Sequence, residues 1–528
     1  MVPYQDLMQR IGTVADAIDV PAFVVGGAVR DALLGRTTMD LDFVTLGDGS
    51  GIRLAEAVAE RMDGGMAHVY PNFGTAAVRV PFEDRTMVLE FVGARKESYR
   101  RNSRKPIVET GSLQDDQNRR DFTINALAIA LNASRFGELI DPFGGVQDLD
   151  AGLLRTPLEP AQTFSDDPLR MLRGARFAAQ LGFQIEPKTF AGMRKEARRI
   201  DIVSKERIAE ELRKIVRSPV PSVGFKVLFS TGLLERILPA LSDLAGVEAV
   251  DGHRHKDNFY HSIQVLDNLV DLVAERPAEE TEWLRWAALL HDVGKARTKR
   301  FVEGTGWTFH GHEDVGARMI PKIFRRLKLP TDDRMETTRD LVKLHHRPVA
   351  LVDDHVTDSA VRRLLFDAGD LIDDLMLLVR ADITSKNPAR VRRYLGHFDH
   401  VEHKMAEVEE KDRLRNFQPP VDGAEIMREL GVGEGVAVGI VKERIREAIL
   451  DGDIPNEYEP AFQYMLAIKD DALRRAALFD EVIRSLKGPE RRATGAIKER
   501  LFFGDLPPTR TDALAVLDAI KRDVLAAV

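Results

Sequence analysis

Residues 23–45 read FVVGGAVRDALLGRTTMDLDFVT, and this stretch decides the fold of the first part of the chain. Its opening apolar run predicts a strand, Gly26-Gly27 predicts a turn, and the residues after it are typical of a short helix. The closing run predicts a second strand, in which Asp40 and Asp42 are two residues apart. Side chains at that spacing leave the same face of a strand, so the two carboxylates can hold divalent cations between them.

Such a carboxylate pair suits phosphoryl transfer. One cation lowers the pKa of an attacking hydroxyl, while a second binds a triphosphate and the leaving pyrophosphate. The two glycines allow backbone amides to approach phosphate at a helix N-terminus, and Arg30 adds a positive charge. Taken singly, a Gly-Gly pair is usually a turn, and paired aspartates on a strand are more often solvated edge residues. Their order and spacing together favour the functional interpretation.

The pattern of the chain changes along its length. Strand-like runs at residues 23–25, 41–45, 75–80 and 86–91 alternate with helical segments, as in a domain that mixes helices and strands. From about residue 163 the pattern is helical almost throughout. Nine of the 13 histidines lie between His253 and His355, which indicates a separate module.

Composition limits the classes of protein that remain. A chain of 528 residues is too long for one hydrophobic core, so several domains are expected. The absence of cysteine excludes disulfides, thiolate zinc sites, iron–sulfur clusters and cysteine catalysis. With no signal-like N-terminus and no membrane-spanning apolar run, a soluble cytoplasmic protein is expected. The net charge of −8 means that any contact with RNA must come from local basic patches.

These motifs resemble those of the bacterial CCA-adding tRNA nucleotidyltransferases and poly(A) polymerases, over residues 23–466. The resemblance implies an α+β fold: a polymerase-beta-like nucleotidyltransferase head with a mixed sheet, followed by a mostly α-helical neck, an HD domain and a C-terminal helical body. We expect the head at residues 1–150, the neck at 151–245, the HD domain at 246–390 and a tRNA-binding body at 391–528.

The resemblance also implies roles for individual residues of the head. In that family the GGAVRD motif positions the nucleotide, and the DLD carboxylates bind catalytic magnesium ions. Those roles fall here on Gly26, Gly27, Arg30, Asp31, Asp40 and Asp42. A third carboxylate on a neighbouring strand is common in the superfamily, and Glu90 is the candidate.

The run RRDFTINALAI resembles the family motif that holds the ribose and phosphates, and it implicates Arg119, Arg120, Asp121 and Asn125. On a helix, Asp121 and Asn125 would share one face. The alternative is that Asp121 simply caps a helix. Upstream, residues 95–105 hold six basic residues and one acidic residue, and this segment resembles the family's mobile loop, which helps the switch from C to A addition.

The run DDPLRMLRGARFAAQLGF resembles the family's base-reading motif. Asp166 and Asp167 precede Arg170 by four and three residues, so all three can gather on one helical face. A carboxylate beside a guanidinium pairs with the amino donor and ring-nitrogen acceptor of cytosine and adenine, and rejects guanine and uracil. Asp166 stands where the family usually has Glu, and an aspartate before Pro168 is also a standard helix cap. Arg173 and Arg176 follow on the same helix and are assigned to nucleotide binding.

The histidine-rich module resembles the HD phosphohydrolase superfamily. Its metal ligands would be His261, His291, Asp292 and Asp382, and His312 and His345 would complete a two-metal version. Imidazole and carboxylate ligands suit manganese, nickel, cobalt or magnesium, which activate water. A lone histidine is usually structural, but four candidate ligands in the family's order favour metal binding.

The leading hypothesis is therefore successive transfer of CMP, CMP and AMP from CTP and ATP to the 3′ end of tRNA, with Mg²⁺ in the head. A poly(A) polymerase or an enzyme restricted to A addition is the alternative, because the head motifs are shared. A rival of another class is an HD-type phosphohydrolase of RNA ends whose head merely binds RNA. The intact carboxylate pair argues against that rival, and the oligomeric state stays open.

Overall fold

The computed structural model describes residues 4–38, 40–62, 66–71, 74–82, 85–98, 107–250, 253–352, 357–385, 387–412 and 417–526. The chain divides into two compact units, Met1–Lys343 and Leu344–Val528. Within the described part, none of the helices is both long enough and apolar enough to span a membrane.

The strands lie mostly in the first 140 residues. They are β1 Ala22–Val25, β2 Asp40–Thr45, β3 His68–Tyr70, β4 Thr75–Phe82, β5 Arg85–Gly93, β6 Arg95–Ser98, β7 Ile107–Thr110, β8 Ala128–Ala130, β9 Leu139–Ile140, β10 Leu153–Leu154, β11 Gln184–Ile185, β12 Ala249–Val250, β13 His253–Arg254, β14 Arg300–Val302 and β15 Gly306–Thr308. The four strands predicted from sequence are confirmed as β1, β2, β4 and β5.

The helices of the first unit carry the neck and the histidine-rich module. They are α1 Gln5–Ala17, α2 Gly27–Leu33, α3 Ser50–Arg61, α4 Leu113–Asn118, α5 Gly145–Asp150, α6 Pro160–Asp166, α7 Leu169–Leu181, α8 Pro187–Glu196, α9 Lys205–Val216, α10 Pro221–Ser230, α11 Leu233–Ile237, α12 Pro239–Ser242, α13 Asn258–Leu272, α14 Glu282–Leu290, α15 Lys295–Thr298, α16 His312–Leu327 and α17 Asp333–Leu344, whose last residue begins the second unit.

The second unit is helical throughout its described part. Its further helices are α18 Arg347–Ala350, α19 Asp358–Ala368, α20 Ile372–Ala381, α21 Pro388–Asp412, α22 Gly423–Leu430, α23 Val436–Asp451, α24 Tyr458–Ser485, α25 Thr494–Phe502 and α26 Arg510–Ala526. Helices α23 and α24 pack against each other, with Ile440, Val441 and Met465 fully buried.

The head is built on a seven-stranded mixed sheet in the order β3-β4-β5-β2-β1-β8-β9. Strands β2 and β5 are parallel, and the other neighbours are antiparallel. Leu41 and Phe43 of β2 and Leu89 of β5 belong to the core that also contains residues of α1 and α3. Because side chains alternate along a strand, Asp42 and Glu90 lie on the opposite, exposed face.

Candidate active site

A cleft of about 640 Å³ is lined by residues of β2, β5, α2 and α7. It brings together most of the residues that the sequence predicted for nucleotide binding and catalysis. These are Gly27, Arg30, Asp31, Asp42, Glu90, Arg119, Arg120, Asp121, Asn125, Asp167, Arg170, Arg173 and Arg176. Positions that are 149 residues apart in sequence therefore line one space.

Two carboxylates on neighbouring strands form one wall of the cleft. Asp42 of β2 pairs in register with Glu90 of the parallel strand β5, and both side chains are exposed. Adjacent strands lie about 4.8 Å apart, so one divalent cation can contact carboxylate oxygens from both. The backbone of Asp40 pairs with Val88 in the same ladder, while its side chain lies outside the described part. The donor set therefore fits a hard cation.

The turn before α2 requires glycine. Gly26 has φ 73° and ψ −128°, a conformation that L residues with a side chain rarely adopt. A Cβ atom at Gly26 would lie 2.6 Å from Nη1 of Arg120. Gly27 is the first residue of α2 and lines the cleft, whereas Gly26 sits in the turn behind it. The Gly-Gly pair thus lets the backbone pass close beside Arg120.

A chain of hydrogen-bonded side chains joins α2 to α7, and all but the partly exposed Arg173 are buried. Nη1 of Arg30 donates to Oδ1 of Asn125 at 2.7 Å, and Nδ2 of Asn125 donates to Oδ1 of Asp121 at 2.9 Å. Oδ2 of Asp121 accepts from Nε of Arg173 at 2.6 Å. Asp121 and Asn125 therefore do meet, although the element between them is a short 3₁₀ turn rather than an α-helix.

The charge of Asp121 is stabilised within this chain. Burial by itself would raise the pKa of Asp121, but the charge of Arg173 and hydrogen bonds from Asn125 and Arg173 lower that pKa to about 2. Oδ1 of Asp121 also accepts from the N–H of Phe122 at 2.9 Å. The helix-capping alternative is wrong, because Phe122 stands at the N-cap of the 3₁₀ turn and no side chain caps that turn. The residue is ionised at neutral pH and fixes the position of Arg173.

Asp116 fixes the two neighbouring arginines. Its carboxylate is fully buried and accepts from Nε of Arg119 at 3.0 Å and from Nε of Arg120 at 2.9 Å. Burial would raise the pKa of Asp116, but the charges of Arg120 and Arg119 lower it. Sequence reasoning missed this residue, because an aspartate in a short polar helix carries no distinguishing pattern.

Three guanidinium groups surround one aromatic ring. Arg30, Arg173 and Arg176 lie 5.1, 5.4 and 4.4 Å from the ring centroid of Phe177. Such contacts offset part of the repulsion between like charges. Glu211 of α9, itself buried, lies 3.2 Å from Nε of Arg176. Phe177 was missed from sequence because an apolar residue between arginines reads as core.

The base-reading motif is built differently from the expectation. Helix α6 ends at Asp166 and a new helix, α7, begins at Leu169, so the prediction that Asp166, Asp167 and Arg170 share one helical face is wrong. The break follows from Pro168, which disfavours helical geometry in the residue before it. Among the described residues, Asp167 and Arg170 line the cleft, but Asp166 does not.

Main-chain carbonyls anchor Arg170. Its Nη1 donates to the carbonyl of Thr163 at 3.1 Å, and its Nη2 donates to the carbonyl of Arg119. Asp167 accepts from the N–H of Leu169 at 3.1 Å and from Nη2 of Arg207 at 3.0 Å. Arg207 of α9 also lines the cleft, and sequence reasoning missed it because nothing in the sequence pairs it with a residue 40 positions earlier.

The basic segment at residues 95–105 is described only in part. Arg95 begins β6 and lines the cleft, while residues 99–106 lie outside the described residues. The expectation of a mobile loop there stays a prediction.

A second cluster of ligand-type side chains surrounds Asp292 in the histidine-rich module. Nε2 of His261 lies 3.5 Å and Nε2 of His291 lies 3.2 Å from Oδ2 of Asp292, and Nε2 of His312 lies 3.3 Å from Oδ1. Lys295 donates to Oδ2 of Asp292 at 2.7 Å. Burial would raise the pKa of Asp292, but His291 and Lys295 hold that pKa well below its usual range.

The imidazole rings are oriented as metal ligands are. Nδ1 of His291 donates to the carbonyl of Ala288 at 2.8 Å, and Nδ1 of His312 donates to the carbonyl of Phe309 at 2.9 Å. Each ring then presents the lone pair of Nε2 toward Asp292. His261, His291 and Asp292 together fit a divalent transition metal or magnesium, and His312 lies at the other oxygen of Asp292. His345 and Asp382 belong to the second unit, and their participation stays a prediction.

The cleft thus combines two exposed carboxylates with eight arginines, which suits an anionic substrate such as a nucleoside triphosphate. The arginines are Arg30, Arg95, Arg119, Arg120, Arg170, Arg173, Arg176 and Arg207. This fold and site define a metal-dependent nucleotidyltransferase of the polymerase-beta type.

Comparison with known proteins supports this class of protein. Residues 22–155 match the poly A polymerase head domain, residues 182–244 match the probable RNA- and SrmB-binding site of polymerase A, and residues 258–385 match the HD domain. The chain is 34% identical to the A-adding tRNA nucleotidyltransferase of Deinococcus radiodurans, over 83% of this chain and 93% of the relative. It is 32% identical to the multifunctional CCA protein of Ralstonia nicotianae, over 83% and 94%.

A solved structure is also similar. A tRNA nucleotidyltransferase in complex with a primer tRNA and an incoming ATP analogue is 26% identical, with a TM-score of 0.52, covering 74% of this chain and 99% of that one. The chain belongs to the family of tRNA nucleotidyltransferases that combine a poly(A) polymerase head with an HD domain.

Proposed function

We propose that the protein adds CMP, CMP and AMP to the 3′ end of tRNA without a nucleic-acid template and releases pyrophosphate. The observation that carries the proposal is the convergence of Asp42, Glu90 and the Arg30–Asn125–Asp121–Arg173 chain in one cleft. Relatives of similar identity include both an A-adding enzyme and a multifunctional CCA protein. The experiment must therefore distinguish addition of all three nucleotides from addition of AMP alone.

The carboxylates of Asp40, Asp42 and Glu90 would hold the metal, which we propose is magnesium. When bound, it supplies charge that offsets the negative triphosphate and favours ionisation of the attacking hydroxyl. The side chains themselves keep this wall of the cleft anionic, so a triphosphate binds against it only together with cations. The arginines of the opposite wall bind the phosphate oxygens directly.

The transfer is a single displacement at phosphorus. The terminal 3′-oxygen of the RNA forms a bond to the α-phosphorus of the nucleoside triphosphate, and the bond from that phosphorus to the bridging oxygen of the β-phosphate breaks. Pyrophosphate leaves with that electron pair, and the hydroxyl proton passes to solvent. Arg119 and Arg120, both held by Asp116, and Arg173, held by Asp121, are preorganised to stabilise the developing charge.

Base selection would rest on Asp167 and Arg170. Carbonyls from two different segments hold the guanidinium of Arg170 and use two of its five N–H donors. A rigid guanidinium can donate to the ring nitrogen of cytosine or adenine, while a neighbouring carboxylate accepts from the amino group. Guanine or uracil would be left with unpaired groups at the same place. Asp166, at the end of α6, would act on this site only through its neighbours.

The decisive experiment offers tRNA lacking its terminal CCA, tRNA ending in C and tRNA ending in CC to the purified chain with each nucleoside triphosphate, followed by 3′-end sequencing. CCA addition predicts CMP incorporation on the first two substrates and AMP on the third. Incorporation of AMP alone, on the third substrate alone, would identify an A-adding enzyme. Long A tracts would identify a poly(A) polymerase.

We further propose that the cluster around Asp292 binds manganese, nickel, cobalt or magnesium and hydrolyses terminal phosphates or cyclic phosphates of RNA ends. Its ligands would be His261, His291, Asp292 and Asp382, with His312 and His345 in a two-metal version. The orientation of His291 and His312 through their Nδ1 atoms supports metal binding. Metal titration of the chelator-treated chain, monitored by calorimetry, tests binding independently of hydrolysis.

The domain roles follow as proposals. The head at residues 1–150 carries transfer, the neck at 151–245 carries base selection and RNA contact, the HD domain spans 246–390, and the body at 391–528 binds tRNA.

A further inference from the structure

A second groove borders the cleft. It has a volume of about 370 Å³ and lies on the outer part of the sheet, over β3, β4 and β5. Thr75 and Glu90 line both spaces, so the groove and the cleft are continuous at the third carboxylate. The remaining lining residues that matter are His68, Tyr70, Ala77 and Arg79.

The strand register connects this groove directly to the carboxylates. Glu90, the partner of Asp42, pairs on its other side with Ala77, and Ala77 pairs with His68. These four residues form one row across four strands, so His68 lies roughly 14 Å from Asp42 at about 4.8 Å per strand. The neighbouring row on the same face leads from the backbone position of Asp40 through Val88 to Arg79.

The chemistry of the groove differs from that of the cleft. Tyr70 is 52% exposed at the end of β3, and Arg79 is exposed on β4. Ala77, in the middle of the row, has a small side chain that leaves space above the sheet. Tyr70 pairs with Thr75, and Arg79 lies four residues further along the same face of β4, about 13 Å away at roughly 3.3 Å per residue. An exposed aromatic ring and a cation spaced along one sheet face suit successive nucleotides of a single strand, by base stacking and phosphate contact.

We propose that this groove holds the last nucleotides of the acceptor RNA. The inference rests on the proposed function, because transfer needs two substrates that meet at the carboxylates. The arginine-rich cleft suits the triphosphate, and in-line displacement requires the attacking 3′-oxygen to approach from the side away from the leaving pyrophosphate. The groove supplies that approach. Tyr70 stacks on a base and Arg79 contacts a phosphate, while Ala77 keeps the path open.

The test uses tRNA lacking CCA whose terminal base is 2-aminopurine, a fluorophore that stacking quenches. Binding to the wild-type chain should quench its fluorescence. Tyr70→Ala should abolish most of the quenching, whereas Tyr70→Phe should keep it. In steady-state kinetics, Tyr70→Ala and Arg79→Ala should each raise KM for tRNA about tenfold and leave KM for ATP and CTP within twofold. Arg53→Ala, an exposed arginine on α3, is the matched control.

A third variant fills the groove. Ala77→Phe should weaken binding of the tRNA end about tenfold and leave ATP binding unchanged, with thermal unfolding measured to confirm that the fold is intact. Equal quenching in wild type and Tyr70→Ala, or loss of ATP affinity equal to the loss of tRNA affinity in Ala77→Phe, overturns the proposal. Quenching that depends on Tyr70 in a chain that transfers no nucleotide supports the groove and overturns the proposed function instead.

Discussion

Nε of Arg173 donates to Oδ2 of Asp121 at 2.6 Å across 52 residues of sequence. Asp121 belongs to the head, and Arg173 belongs to α7 of the neck. This ion pair, continued through Asn125 to Arg30, fixes the width of the cleft between the two. The same residues that line the cleft therefore also hold its walls together.

The Asp121–Arg173 pair should make stability depend on pH. The folded-state pKa of Asp121, about 2, lies below its ordinary value of 3.8, so its contribution is full above about pH 5 and is lost as the pH falls toward 2. Asp121→Asn should lower the free energy of unfolding at pH 7 by about 2 kcal/mol. In thermal unfolding, the gap between the variant and wild type should narrow from pH 5 to pH 3. A gap that stays constant over this range would show that the charge of Asp121 is not stabilised by folding.

Asp42→Ala and Asp40→Ala should each abolish nucleotide addition while folding and tRNA binding stay close to wild type. Asp42 is exposed and contributes no apolar packing, so its loss removes a metal ligand rather than a part of the core. Transfer of radiolabelled AMP to tRNA ending in CC measures the effect, and Glu60→Gln, exposed on α3, serves as the control. Addition at a near wild-type rate in either variant would remove that carboxylate from the metal site.

Arg170→Ala should relax base choice more than it weakens tRNA binding. Without the guanidinium, the donor that rejects guanine and uracil is lost, and the unsatisfied polar edge is worth about 1–3 kcal/mol. Misincorporation of GMP and UMP should therefore rise by about one to two decades in 3′-end sequencing. Arg198→Ala, exposed in the neck, controls for the loss of a positive charge. An unchanged preference among the four triphosphates would contradict the prediction. It would show that Arg170 has only the structural role of bonding to the carbonyls of Thr163 and Arg119.

Substitutions should separate the activities of the two proposed metal sites. Asp292→Ala should lose hydrolysis of a 2′,3′-cyclic phosphate or a 2′-phosphate, and Asp42→Ala should keep it. His291→Ala should behave like Asp292→Ala, because the loss of one ligand weakens the whole site. The assay adds manganese, nickel, cobalt or magnesium to chelator-treated protein, with Asp271→Ala as the exposed control. Hydrolysis that is equal in wild type and Asp292→Ala, or absent with every metal, would reduce this region to a structural helical domain.

The sequence by itself determined what depends on short-range pattern. Alternation of apolar residues placed Leu41 and Phe43 in the core and left Asp42 exposed, because side chains of a strand alternate between its two faces. The helix that carries Arg170, Arg173 and Arg176 followed from its periodicity in the same way. Motif resemblance predicted roles for residues of distant segments, and those roles stay predictions. Most of the residues that it named line one cleft.

Only the tertiary structure decided which distant residues meet. Glu90 stands beside Asp42 because β5 inserts parallel to β2, and strand order is not encoded in either strand's own pattern. Asp116, Phe177 and Arg207 reach the cleft or its arginines for the same reason. Pro168 disfavours helical geometry in the residue before it and so separates Asp166 from Arg170. The prediction from helical spacing did not take this local effect into account. The spacing of residues along a strand or helix determines which face each side chain lies on. The packing between elements determines which side chains from other parts of the chain lie next to that face.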